Sequence, residues 1–164
     1  CGPSHQHESL RFFQHLQNAG LLNSSLSAAS LNNCGGGTCY LPDINVPSTV
    51  FGKDTALVFL TLDASAGIAW AGKPETRNVF LLSRPQSQSL AIYNGRLHGN
   101  FFTPSQAQIF DSKYDDGKPY SGIVTMFGNS GYPNCTGGDY SSTAGYNINF
   151  TGFACSMIVD AHKN

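Results

Sequence analysis

The hydrophobic period changes along this chain, and the changes mark out its elements. In "ESLRFFQHLQNA", residues 8 to 19, Leu10, Phe13, Leu16 and then Ala19 or Gly20 recur at intervals of three and four, which aligns one apolar face of a helix. Gly20 is placed to stop it. From Asn23 to Pro47 no period persists, and a Ser-, Asn- and Gly-rich composition predicts a long connecting loop. The apolar runs then become short and β-rich: "ALVFLTL" at 56 to 62, "GIAWAG" at 67 to 72, "VFLLS" at 79 to 83 and "SLAIYN" at 89 to 94. Turn formers separate them, among them Gly72-Lys73-Pro74, Arg84-Pro85 and the hairpin signal Asn94-Gly95. The middle of the chain therefore reads as an antiparallel meander.

A helical pattern returns once, in "TPSQAQIFDSKY". Thr103 stands at the N-cap, Pro104 at the first helical position and Gln106 at the capping-box position. Ala107, Phe110 and Tyr114 supply the expected packing stripe, and Gly117 followed by Pro119 ends the helix. Asp111 then lies on the helix, and Asp115-Asp116-Gly117 forms the structural turn that leaves it.

Two further strands are expected, "GIVTMFG" at 122 to 128 and "YNINFTGFACSMIVDA" at 146 to 161. In the second, Tyr146, Ile148 and Phe150 alternate with polar residues, and beyond Gly152 the apolar set becomes Phe153, Cys155, Met157 and Val159. The parity slips by one residue, which a bulge at Gly152 would correct. The sum is an α+β fold in one domain spanning residues 1–164: an N-terminal helix on an antiparallel sheet, a short second helix and a disulfide-closed C-terminal region.

Charge narrows the functional classes. Only 12% of the residues are charged and the net charge is -1, about half the usual share of roughly a quarter. Gly, Ser, Thr, Asn and Gln fill the polar positions, a composition suited to a neutral extracellular surface. Nothing here draws the protein electrostatically to nucleic acid or to an anionic membrane. No apolar run is long enough to span a bilayer. The five cysteines include Cys34 and Cys39, which flank "GGGT", and Cys135 and Cys155, which flank a Gly-, Asn- and Tyr-rich segment. Local disulfides Cys34 to Cys39 and Cys135 to Cys155 are the simplest of the three connectivities open to four cysteines, leaving Cys1 over. The absence of a CxxC knuckle argues against zinc.

The densest chemistry is "IFDSKYDDGKPYSG", residues 109 to 122. Set against a calcium loop, its ligand positions hold Asp111, Lys113 and Asp115, followed by Asp116, so that a cation takes one ligand position and the glycine comes one residue late. A helix end and turn is the reading adopted, with Lys113 suited to the helix C-terminus; calcium held by Asp111, Asp115 and Asp116 is the alternative. "GNSGYP" lacks the histidine context that would make Ser130 a nucleophile, and "HQHE", with His5, His7 and Glu8, reads as a solvated helix start. No base accompanies Cys1. The N-x-[ST] triplets at Asn23, Asn134 and Asn149 matter only in a eukaryotic secreted protein. No cofactor is expected.

Two stretches carry a resemblance. "ESLRFFQHLQNAGLL" at 8 to 22 is similar to the end of the helix in type IV pilins and type II secretion pseudopilins. "TPSQAQIFDSKYDDGKPYSGIV" at 103 to 124, followed by Cys135 and Cys155, resembles the late helix, DDG turn and C-terminal disulfide of the same family. The resemblance implies a non-enzymatic subunit of a bacterial filament, lying in an extracellular filament or the periplasm and anchored in the inner membrane before assembly. The apolar N-terminal helix of that family, absent here, would anchor and then polymerise it. Its partners would be other pilin subunits and the inner-membrane assembly machinery. The segment between the last two cysteines would be the variable surface, with Thr136, Gly137, Gly138, Asp139, Tyr140 and Tyr146 as a polar-aromatic patch. A secreted β module that binds a ligand or calcium is the rival from another class.

Overall fold

The computed structural model describes residues 5–27, 40–62, 77–84, 99–128, 133–137 and 143–161. The first helix, α1, runs His5–Asn18. It stops where predicted: the Leu21 amide donates to the Leu16 carbonyl and the Gly20 amide to that of Gln17, which satisfies the last carbonyls of the helix. Leu10 and Phe13 are buried, Leu16 is half-buried, and Phe12 stacks on Phe59 with ring centroids 4.2 Å apart. Burial of a Leu or Phe side chain stabilises by about 1.5–3 kcal/mol, so this apolar face holds the helix to the sheet.

Among the described residues the sheet has five strands, β1 (Ser48–Thr49), β2 (Gly52–Leu62), β3 (Arg77–Ser83), β4 (Val124–Phe127) and β5 (Ser156–Asp160), in the order β1-β2-β3-β5-β4. All its strand pairs are antiparallel. Alternating cross-strand rows feed two cores, as the two-residue period of a strand requires. Val58, Leu81 and Ile158 share one row and pack with Leu10 and Phe13 of α1. Leu82, Met157 and Met126 lie on the next and pack with Phe101, Phe102 and the second helix, α2 (Pro104–Tyr114).

The structure corrects four expectations. The sheet is not a simple meander, because β5 enters between β3 and β4. The strand predicted from 56 begins at Gly52, where the turn from Thr49 pairs directly with it. Residues 146–155 do not continue β5 upstream, so no bulge forms at Gly152. Turn bonds occupy that backbone instead, from Asn147 to Cys135 and from Phe150 to Asn147, and Ile148 and Phe153 are exposed. On α2 the buried face comprises Pro104, Ala107 and Asp111 rather than ending on Tyr114, which is exposed. The strands expected at 67–72 and 89–94, the Asn94-Gly95 hairpin, Ser130 and the Cys34 to Cys39 pairing lie outside the described residues. Among the described residues no helix is long and apolar enough to cross a membrane.

Candidate functional site

The charged stretch lies where α2 hands over to the sheet edge. The start of α2 is fixed locally: the Gln106 amide donates to Thr103 Oγ1 at 3.2 Å, and the Thr103 amide donates to Gln106 Oε1 at 3.0 Å. This is the capping box the sequence predicts. From that anchor the helical period carries Asp111 inward, one turn beyond the fully buried Ala107.

Asp111 is fully buried. Its Oδ2 accepts a 2.6 Å hydrogen bond from the hydroxyl of Tyr146, whereas Oδ1 is buried with no hydrogen-bond partner. A carboxylate in this position loses hydration on one oxygen without replacement. Burial pushes its carboxyl up to about 6, opposed by the Tyr146 hydrogen bond and reinforced by the nearby charges of Asp116 and Asp115, with a small lowering from the Gly117 amide. The same burial, and the neighbouring Asp111, raise the Tyr146 hydroxyl far above the ordinary tyrosine range. Tyr146 therefore stays a neutral donor.

Asp115 and Asp116 build the turn. Asp116 Oδ1 accepts from the Lys118 amide at 2.9 Å and its Oδ2 from the Ser121 hydroxyl. The carboxyl of Asp116 is held below its ordinary value, although burial acts against this, by its hydrogen bonds to Ser121 and Lys118 and the charge of Lys118. Asp115 reaches across the turn, where its Oδ2 accepts from the Val124 amide at 2.8 Å. The Met126 amide donates to the Pro119 carbonyl, also at 2.8 Å. Since β4 is the last strand of the sheet, these two acceptors cover its outer edge and remove the free amides that another strand would seek.

Two glycines permit this geometry. At Gly122, with φ of 66°, a Cβ would lie 1.8 Å from Asp115 Oδ2. At Gly117, with φ of 73°, it would lie 2.7 Å from Ser112 Oγ. Both conformations fall in the left-handed region that other residues enter at a cost.

The C-terminal segment locks onto the same place. Cys135 and Cys155 are joined, with Cα atoms 5.1 Å apart. The Tyr120 hydroxyl lies 3.2 Å from Thr136 Oγ1 in a buried contact. Thus Tyr120 and Asp111 each bind one side of the disulfide segment. Thr136 and Tyr146 are both buried, so neither contributes to the expected surface patch; Gly137 is exposed, and Gly138, Asp139 and Tyr140 lie outside the described residues.

The structure unites the three acidic residues of the alternative reading. Asp111, Asp115 and Asp116 each offer a carboxylate oxygen, and these atoms lie within 4.8 Å of one another, an oxygen-only donor set. Sequence reasoning missed Tyr146 as the partner of Asp111 and Val124 as the partner of Asp115, residues far along the chain whose types gave no local signal. No family model, curated protein or solved structure matches this chain.

Proposed function

We propose that this domain is the head of a structural, non-enzymatic subunit of a type IV pilus or pilus-like filament. The observation that carries the reading is the fixed docking of α1 on an antiparallel sheet, with Leu10 and Phe13 buried, in a chain whose C-terminal region is closed by Cys135–Cys155. A helix held this way can transmit load between a filament core and a head without a hinge. The resemblance of residues 8 to 22 and 103 to 124 to the pilin family supports the same role. In this reading an apolar segment preceding the helix packs between subunits, so the partners are other pilin-type subunits and the inner-membrane machinery that assembles them. The protein would reside at the inner membrane before assembly and in an extracellular or periplasmic filament afterwards. A type II secretion pseudopilin would carry the same kind of head.

The test is mass spectrometry of the native protein in sheared surface filaments, reading its mature N-terminus. A methylated apolar N-terminus upstream of Cys1 is expected. Recovery from extracellular pili or only from secretion-dependent filaments distinguishes pilin from pseudopilin. A mature chain beginning near Cys1 and free in the medium would overturn the filament reading in favour of a secreted binding module.

A further inference from the structure

We propose that Asp111, Asp115 and Asp116 form a binding site for a hard divalent cation, calcium by preference, that clamps the end of α2 to the edge of the sheet. The inference stands apart from the filament reading, because it rests on side-chain geometry within this domain.

Convergence of the three carboxylates within 4.8 Å matches the span available on one ion, since oxygens bound at 2.3–2.6 Å lie at most about 5 Å apart. Acidic clusters are common on protein surfaces, so proximity alone carries nothing. What separates this cluster is Asp111. It is wholly buried, and its Oδ1 is an acceptor with no hydrogen bond. A buried carboxylate oxygen left in that state is costly unless a cation or proton meets it.

The surroundings add to that demand. The three acids gather at the C-terminus of α2, the negative end of its dipole, where cations are favoured. Among the described residues no lysine or arginine forms an ion pair with any of the three, and the Lys118 charge that acts on Asp116 does so without one. Lys113, which occupies a ligand position in the linear pattern, lies over the Tyr114 ring at 5.2 Å. The apparent obstacle in the sequence is therefore turned aside.

The existing hydrogen bonds are compatible with a metal. Asp111 Oδ2 takes the Tyr146 hydroxyl, Asp115 Oδ2 the Val124 amide, and Asp116 the Lys118 amide and the Ser121 hydroxyl. Each carboxylate oxygen retains a lone pair beyond those bonds, and such outer partners orient metal ligands in established sites. Burial grades from Asp111 inside through Asp115 to the exposed Asp116. A cation thus has an approach from solvent, with water completing its shell. The donor set contains no nitrogen or sulfur, which disfavours zinc and copper relative to calcium.

The test uses the purified protein freed of metal with chelator. Calcium chloride is titrated at constant ionic strength while thermal unfolding is followed, and terbium is titrated in parallel with excitation through tyrosine, since Tyr146 lies against the site. Calcium at a hundredfold excess over its dissociation constant should raise the melting temperature by about 8 °C in a chain of this length. Calcium should also displace the sensitised terbium emission. Asp111→Asn should abolish the calcium shift, and Asp116→Asn, at an exposed position that leaves the core intact, should weaken calcium binding at least tenfold. The inference is overturned if the wild type shows no saturable shift, if sodium at equal ionic strength reproduces it, or if it persists undiminished in Asp116→Asn, and the calcium preference is overturned if magnesium gives an equal shift. This last variant decides the matter even if Asp111→Asn does not fold.

Discussion

Removing the Cys135–Cys155 cross-link offers a direct measure of how much the C-terminal closure stabilises the domain. The two cysteines are separated by 20 residues, and the chain-entropy relation for a loop of that size gives about 3 kcal/mol. Over the 164 residues of the chain, an unfolding entropy of about 2.1 cal/mol/K per residue amounts to about 0.34 kcal/mol/K. The double variant Cys135→Ala, Cys155→Ala should therefore melt about 10 °C below the oxidised wild type. Thermal unfolding followed by circular dichroism reads this directly. Both sulfurs are fully buried, so their loss adds a packing cost to the loss of the constraint. Reductant separates the two: reduced wild type should approach the variant, and any remaining gap is packing. A double variant that melts within about 2 °C of the oxidised protein would refute the reasoning, because the loop would then be held almost entirely by contacts such as Tyr146 on Asp111.

Two other perturbations probe the acidic turn. The Asp111 carboxyl lies at about 6 in the folded protein against an ordinary 3.8, so the folded state holds its proton more tightly. Its contribution to stability is full below pH 3.8 and is lost as pH rises through about 6. The gap corresponds to at most about 3 kcal/mol. In chelator, the wild type should accordingly lose stability relative to Asp111→Asn between pH 4 and pH 7; a difference that does not vary with pH would contradict this. Gly122→Ala should cost about 2 kcal/mol in denaturant unfolding, since its Cβ would strike Asp115 and break the bond to Val124. In an Asp115→Ala background that cost should shrink, and an undiminished penalty would locate the strain elsewhere.

How much could be foreseen followed from how local each determinant is. The start of α2 was legible because Thr103, Pro104 and Gln106 act on their own turn. The end of α1 was legible for the same reason, with Gly20 bonding back to Gln17. Sheet order was not, because pairing of β5 with both β3 and β4 is decided by packing across the chain. Residues 146–155 misled through true alternation: Tyr146 turns inward to meet Asp111, whereas Ile148 turns out, and the backbone bonds to Cys135 rather than to a neighbouring strand. The Asp115-Asp116-Gly117 turn was visible as a turn. Its use of Asp115 to satisfy Val124 depends on a strand the turn itself leads into. Asp111 was placed on its helix from the pattern, but an isolated aspartate gives no sign of being the residue that faces the core. The Cys135–Cys155 bridge agrees with the simplest local pairing.

The cover over β4 bears on how copies of this domain tolerate crowding. One flank of the sheet is sealed by a carboxylate and a proline carbonyl, and the other ends in a strand of two residues. The sealed flank offers no free amides on which a neighbouring polypeptide could extend the sheet. Copies held at high local density would therefore meet along this flank through side chains, whose contacts can be remade, rather than through main-chain ladders that grow without limit. Loss of Asp115 would free the Val124 amide on that flank while Met126 stays bonded to Pro119, and the expected sign is aggregation at high concentration before any loss of the fold.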